Sequence, residues 1–513
     1  MMEKCNYRKD PHQDIDHVFR DLLPAHGMVE RPAQVELSHQ MLDAMLNGSI
    51  ALCDAGTGIG KTYAYLVAGV VFRRYRSRAG LPNQPLLIST SSIALQGAII
   101  HDYLPFLSKV MMADGMLDSP LRAVLRKGKS HYVCDARLMK RLQTANLDRK
   151  NPLAKAALLS MRDHLDLDMA PHLSGYDRER ICVPPTCDCG KTECRYLCYL
   201  DVCASERYAI QVCNHNLLLA DAIHRGSGKR PILPDSCAIV MDEAHKLTET
   251  ARQMFGITLA AGELHTLCRK LRREQFLLAA ETLEDTAGLL LSEMAKPWSG
   301  DSSFSHFSIP LDGVERTLSV IHRQIRRMLT AGTRMELERV LDKTKLFCLH
   351  QPDMVYYTAE DETGGSMLCA SATDLTAQLR QTLWQQDRPM ILASGTLAVG
   401  SNFRRFKEET GLLAEGRVRE HIAPSPFDYQ RNCLLYLPQI PPSQADSDYY
   451  DDLAEQIVKL LDAANGHALG LFTSYAAMSA VRERLKQRDL PYPVLTLGRN
   501  GGHTMSEFMA HPG

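Results

Sequence analysis

Short apolar runs recur along the chain, each bounded by small or turn-forming residues. Residues 49–53, 86–90, 237–241, 389–393 and 469–473 carry few polar interruptions. Such runs predict strands buried on both faces, the pattern of a parallel sheet covered by helices. Residues 63–75 and the Leu-, Glu- and Arg-rich stretch 248–346 instead space their apolar positions at helical intervals. Residues 134–213 follow neither period, and seven cysteines fall from Cys182 to Cys213 beside Pro184 and Pro185. That stretch reads as an insertion held by something other than a large core. After the Pro-rich stretch 424–442 a second α/β pattern begins, with 469–473 as its clearest strand. The predicted order is α/β, Cys-rich insertion, helices, α/β, with no repeat at solenoid periods and no long low-complexity tract.

Length and charge narrow the classes. The 513 residues correspond to about three domains at the usual ~150 residues each. Lys and Arg total 59 against 60 Asp and Glu, so any surface for nucleic acid must be local. With 45% hydrophobic and 23% charged residues the chain is globular and not largely disordered. No run approaches the ~18 apolar residues of a bilayer span, and the opening Met1-Met2-Glu3-Lys4-Cys5-Asn6 lacks an apolar signal stretch. The expectation is a soluble, cytoplasmic protein without membrane attachment. Fifteen cysteines, an odd number in a long chain, do not describe a disulfide scaffold.

The chemistry concentrates at two places. Asp54-Ala55-Gly56-Thr57-Gly58-Ile59-Gly60-Lys61-Thr62 lies between a predicted strand and a predicted helix. There, glycines let main-chain N–H groups wrap a phosphate, Lys61 reaches the β and γ oxygens, and the Thr62 hydroxyl can ligate Mg²⁺. Ala55 stands where the usual pattern has its first glycine. Met241-Asp242-Glu243-Ala244-His245 follows its own apolar run, placing Asp242 beside the metal and Glu243 beside the attacking water. Each motif alone has a structural reading, a capped glycine turn or an acidic loop. Together they predict ATP hydrolysis with Mg²⁺, with Lys61, Asp242 and Glu243 as the catalytic set.

The two motifs together resemble the core of superfamily 2 helicases, and other segments agree in order. Arg31-Pro32-Ala33-Gln34 resembles the adenine-reading element, with Gln34 offering both a donor and an acceptor. Ser89-Thr90-Ser91-Ser92-Ile93-Ala94-Leu95-Gln96 resembles the segment that touches the DNA backbone, and Ser394-Gly395-Thr396-Leu397 the motif coupling hydrolysis to domain movement. Cys369-Ala370-Ser371-Ala372-Thr373 contains the more usual Ser-Ala-Thr, but lacks a preceding apolar run of comparable strength. The coupling motif is therefore placed at 394–397, with Gly395 in place of the usual Ala.

The insertion narrows the resemblance to the DinG and XPD helicases, in the DinG branch. Lys127 to Cys134 is similar to the segment with that family's first iron-sulfur ligand, and Cys189, Cys194 and Cys198 to the other three. Cys182, Cys187 and Cys203 are spare thiols, and Cys187 can replace Cys189. Spacing alone leaves a 4Fe-4S cluster, structural zinc and a metal-free remnant open. The resemblance implies an α/β fold of two RecA-like core domains, with an inserted iron-sulfur domain and a helical arch. The first core domain would comprise residues 1–127, 206–247 and 376–415. The iron-sulfur domain would be 128–205, the arch 248–375, and an incomplete second core domain 416–513.

By the same resemblance, Arg31, Gln34, Ala55, Gly56, Thr57, Gly58, Ile59, Gly60, Lys61, Thr62 and Asp242 would bind Mg-ATP. Gln96, His245, Ser394, Gly395 and Thr396 would couple the nucleotide state to the cleft. Ser89, Thr90, Lys127, Lys129, Thr473 and Ser474 would bind DNA, aided by a basic stretch that includes Arg122, Arg126, Arg137, Lys140 and Arg141. The implied activity is ATP-driven 5′ to 3′ translocation on single-stranded DNA and unwinding of forked or 5′-overhang duplexes in repair or replication. The expected state is a monomer, with single-stranded DNA-binding protein as a candidate partner. The sequence stops at Gly513 before any Arg-rich motif that would complete the ATP site. That predicts a fragment of a longer frame and weak turnover, and keeps open an accessory protein that binds single-stranded DNA and nucleotide without unwinding. A nuclease would need further clustered acids, and too few residues precede Arg31 for an added N-terminal exonuclease domain.

Overall fold

The computed structural model describes residues 10–145, 151–184, 194–205, 207–294, 311–349, 351–360, 366–438, 448–488, 490–491 and 493–496. Among the described residues there are ten strands: β1 (Ile50–Ala55), β2 (Leu86–Thr90), β3 (Ala123–Leu125), β4 (Ile210–Cys213), β5 (Ala238–Asp242), β6 (Ile257–Ala260), β7 (Met354–Glu360), β8 (Ser366–Ala372), β9 (Met390–Ser394) and β10 (Val418–Ala423). Seven form one sheet in the order β10-β1-β9-β5-β2-β4-β3, with every pairing parallel. Alternate residues enter two different cores. Ala51, Cys53, Ile88, Val240 and Ile391 pack on one face, and Leu52, Leu87, Met241 and Leu392 on the other. This double burial is why the strands read as continuous apolar runs.

The chain forms two compact units, Met1–Pro426 and Phe427–Gly513. β10 pairs with β1, so the first sheet continues past the domain boundary expected at residue 415. In the second unit the helices Tyr449–Ala463 and Tyr475–Lys486 are formed. The strand expected at 469–473 is not: these residues have no regular structure, and Leu471 is 87% exposed. An apolar run becomes a strand only where another backbone supplies its hydrogen bonds, and no strand is formed among the unit's described residues. Leu434, Leu435 and Leu437 are likewise exposed.

The region expected to be a helical arch contains the helices Ala261–Arg273, Leu277–Met294, Leu311–Ile325 and Ala331–Cys348. It also carries an antiparallel sheet, β6-β8-β7, that helical periodicity did not predict. β8 holds the Ser371-Ala372 decoy and pairs only with β6 and β7, outside the parallel sheet. The insertion between β3 and β4 has two small apolar clusters, one around Val133, Leu158, Leu167 and Ile181, the other of Tyr132, Cys134 and Val183. No described helix is long and apolar enough to cross a membrane.

Candidate nucleotide site at the carboxyl edge of the sheet

The register of the sheet gathers the predicted residues at one edge. Asp54 aligns with Ser394, Asp242 with Ala393, and Thr90 with Asp242. Residues far apart in sequence thus end their strands side by side, where an open α/β sheet presents its loops to ligands.

The phosphate loop leaves β1 and enters the Lys61–Arg78 helix. Gly58 and Gly60 have φ of 83° and 89°, the left-handed region that glycine adopts without strain. A Cβ at Gly60 would collide with the side chain of Gln34. Gln34, almost fully buried, donates its amide to the Gly60 carbonyl at 2.8 Å, and Arg31 donates to the Gly58 carbonyl at 2.7 Å. The predicted adenine-reading pair is therefore brought against the loop. Lys61 Nζ donates to the Ala55 carbonyl at 3.2 Å. Ser425 crosses the loop, its hydroxyl 3.3 Å from the Thr57 carbonyl, and a Cβ on Gly56 would fall 2.9 Å from its own.

Asp242 is buried at the end of β5, and Tyr65 Oη lies 3.4 Å from its Oδ2. Burial, and then the neighbouring charge of Glu243, push the Asp242 carboxyl up to about 6. A divalent cation would relieve that unfavourable charge, so Asp242 and the Thr62 hydroxyl suit the Mg²⁺ that ATP carries. Glu243 is held at φ 54°, ψ 44°, a left-handed conformation that costs a side-chain-bearing residue energy. Its amide donates to Asp242 Oδ1 at 3.0 Å.

His245 Nδ1 lies 2.8 Å from Ser394 Oγ and 3.3 Å from Glu243 Oε2. Ser394 Oγ is 3.5 Å from Thr396 Oγ1, and a Cβ on Gly395 would meet the Ala55 carbonyl and Lys61 Nζ. The segment 394–396 thus touches both the acidic motif and the phosphate loop. Gln96 donates to the Thr90 carbonyl at 3.0 Å. Two contacts escaped sequence reading. Asp54 accepts from the Ala398 amide at 2.7 Å. Tyr65, one helical turn beyond Lys61, was detectable only from that spacing.

Several residues expected to contact DNA are buried or paired within the protein. Ser89 and Thr90 are 0% exposed, because both lie inside the sheet, and the surface beside them belongs to Ser91 and Ile93. Lys127 is bound by Asp166 at 2.6 Å and Asp168 at 2.7 Å. Its charge is neutralised within the insertion. Arg126, Arg137 and Arg141 are likewise engaged, with Gln211, the Cys182 carbonyl and Asp177. Lys129 and Lys140 are exposed. Thr473 and Ser474 are exposed in the second unit, with Ser474 capping the Tyr475–Lys486 helix through the Ala477 amide.

In the insertion, Cys134 and Cys194 each occupy the N-cap of a helix, Asp135–Thr144 and Arg195–Ala204. The residues immediately after them, Asp135 and Arg195, are joined by a 2.7 Å bond from Arg195 Nε. Cys198 lies one turn along the second helix, its amide donating to the Cys194 carbonyl. Two thiols thus stand at the starts of bonded helices and a third follows one turn on, a placement that suits metal ligation. No group of three or more potential metal ligands stands together among the described residues. Cys187 and Cys189 lie outside the described residues.

No known family profile matches the chain. It is 25% identical over 502 residues to the ATP-dependent DNA helicase YoaA of Haemophilus influenzae, covering 90% of this chain and 74% of that protein. It is 25% identical over 524 residues to the ATP-dependent helicase DinG of Mycobacterium tuberculosis, covering 94% and 76%. A solved XPD helicase aligns over 93% of this chain and 79% of its own, with 12% identity and a TM-score of 0.49.

Proposed function

We propose, from the premise that this chain is a homologue of the YoaA and DinG helicases, that it is an ATP-dependent DNA helicase. One observation carries the reading: the phosphate loop, Asp242-Glu243 and the His245–Ser394 contact meet at neighbouring strand ends of one parallel sheet. Lys61 would neutralise the β and γ oxygens while the loop amides hold the phosphates, leaving the Ala55 carbonyl it now contacts. Mg²⁺, held by Thr62 and Asp242, would supply charge neutralisation between the phosphates. Glu243 would orient water and accept its proton. His245, Ser394 and Thr396 would report the nucleotide state along their hydrogen bonds. Arg31 and Gln34 would hold the base side of the nucleotide.

The finer reading is 5′ to 3′ movement on single-stranded DNA in repair or replication, with Ser91, Ile93 and Lys129 as DNA contacts of the first unit; Thr473 and Ser474 would be DNA contacts of the second. Cys134, Cys189, Cys194 and Cys198 would bind a 4Fe-4S cluster, which would staple the insertion covalently. The paired helix starts at Asp135 and Arg195 support that assignment.

The test is ATP turnover by anaerobically purified protein with and without single-stranded DNA, beside a Glu243→Gln control, with iron and sulfide assayed on the same sample. DNA-stimulated turnover lost in the control supports a helicase motor. DNA binding without turnover would mark a binding protein. Unwinding of 5′-tailed but not 3′-tailed duplexes would support the polarity.

A further inference from the structure

The phosphate loop is met from both flanks, and only one flank was expected. β1, which leads into the loop, runs between β9 and β10. The chain leaving β9 approaches it at the Ala55 carbonyl and Lys61 Nζ, through Gly395. The chain leaving β10 approaches it as a short strap, Ala423-Pro424-Ser425-Pro426, the last residues of the first unit. Two bonds join strap to loop. The Gly56 amide donates to the Ala423 carbonyl at 3.3 Å, and the Ser425 hydroxyl donates to the Thr57 carbonyl at 3.3 Å. A Cβ on Gly56 would fall 2.9 Å from Ser425 Cβ, 3.1 Å from its Cα and 3.2 Å from its N. Two of those three atoms are main chain, so turning a side chain would not relieve the collision.

The strap is stiff by composition. Pro424 and Pro426 fix their own φ, and each biases the residue before it, Ala423 or Ser425, toward extended backbone. The Ser425 hydroxyl is therefore presented with little chain entropy left to lose. Its target completes a series along the loop: the Thr57 carbonyl is held by Ser425, the Gly58 carbonyl by Arg31 at 2.7 Å and the Gly60 carbonyl by Gln34 at 2.8 Å. In a trans peptide the carbonyl and the following N–H point to opposite sides. Holding these three carbonyls from without turns the amides of Gly58, Ile59 and Lys61 the other way, and successive main-chain donors of this kind are what a phosphate needs. Arg31 and Gln34 were expected at the site. Ser425, 368 residues from Thr57, was not.

Resting on the ATPase reading above, we propose that Ser425 is a positioning residue of the nucleotide site: its hydroxyl holds the Thr57–Gly58 peptide so that the Gly58 amide faces the phosphates. The strap acts through the loop and touches no nucleotide itself. An amide that holds a phosphate does so in the ground state and the transition state alike, so losing its alignment weakens binding and not the chemical step. The close approach at Gly56 also gives that glycine a second reason to be one, since a side chain there would push the strap away.

The experiment compares the full chain with Ser425→Ala, which removes the hydroxyl and keeps Cβ, and with Gly56→Ala alone and combined with Ser425→Gly. The dissociation constant of mant-ADP with Mg²⁺, KM and kcat for ATP, and the melting temperature are read for each. In Ser425→Ala the mant-ADP constant and KM should both rise about five-fold, the loss of kcat/KM being carried by KM, with melting unchanged. Gly56→Ala should raise the mant-ADP constant by about ten-fold or more, and adding Ser425→Gly should recover part of that loss, because the nearest colliding atom is gone. A mant-ADP constant within about two-fold of wild type in Ser425→Ala overturns the assignment. So does a loss carried by kcat alone, a rise accompanied by lowered melting, which a merely structural residue would produce, or a double variant no better than Gly56→Ala. Should Gly56→Ala not fold, Ser425→Ala decides alone. A wild-type chain that binds no mant-ADP overturns the ATPase reading and this inference with it, and is recognised before any variant is compared; in one that binds without turnover, the mant-ADP constant decides.

Discussion

At the scale of single residues, Glu243 carries the clearest conflict between stability and use. It is one of three described non-glycine residues with positive φ, the others being Gln275 and Asn465. The proposed role requires a carboxylate at this position, yet its backbone is one that Asn tolerates better. Glu243→Asn should raise stability by about 0.5–1 kcal/mol, read by denaturant unfolding, while lowering ATP turnover by about 10²-fold or more. Unchanged or lower stability would show that the left-handed backbone is not a source of strain. Buried ends explain the other residue-level surprises. Ser89 and Thr90 look like surface hydroxyls in sequence, but the parallel neighbours of β2 enclose them.

At the scale of elements, the insertion depends on ionic clamps as much as on apolar contact. Burial disfavours the Asp168 carboxylate, but Lys127 and Arg178 more than offset this and hold it well below the usual carboxylate range. A depressed folded pKa gives stability that is present above the unfolded pKa near 3.8 and lost as pH falls through the folded value. Protease resistance of residues 128–205 should thus decline from about pH 4 downward, and Asp168→Asn should abolish that pH dependence while lowering resistance at pH 7. The second clamp joins the two helices led by Cys134 and Cys194. Arg195→Met, which retains length without charge, should reduce iron and sulfide per chain under anaerobic purification while the melting of the parallel-sheet unit is unchanged. Full iron retention would separate the Asp135–Arg195 bond from cluster assembly.

At the scale of the whole molecule, the candidate site exists because one sheet collects strands from remote stretches of chain. β1 lies between β9 and β10, and Asp54 reaches across 344 residues to the Ala398 amide. A defect in β1 should therefore be felt by the unit as a whole. Leu52, a fully buried residue of β1, should cost about 2–5 kcal/mol when replaced by Ala. That loss should appear as a single shifted transition for the Met1–Pro426 unit in calorimetry, partly recovered by Mg-ATP through mass action. A separate early transition confined to β1 would contradict this cooperativity.

Periodicity and short motifs were enough to read the buried strands β1, β2, β5 and β9, the helix after the phosphate loop, and the Asp242-Glu243 pair. Those signals are local: a strand buried on both faces must be apolar throughout, and a phosphate loop must be glycine-rich where its backbone turns left-handed. Tertiary structure alone decided which groups are spent internally. Lys127 is neutralised by acids 39 and 41 residues away, and His245 meets Ser394 across 149 residues. It also decided that β8 joins an antiparallel sheet and that residues 469–473 form no strand. An apolar run states that a segment prefers burial. Its register, its partners and the fate of its charges depend on which distant backbone and which distant ions the folded chain brings beside it.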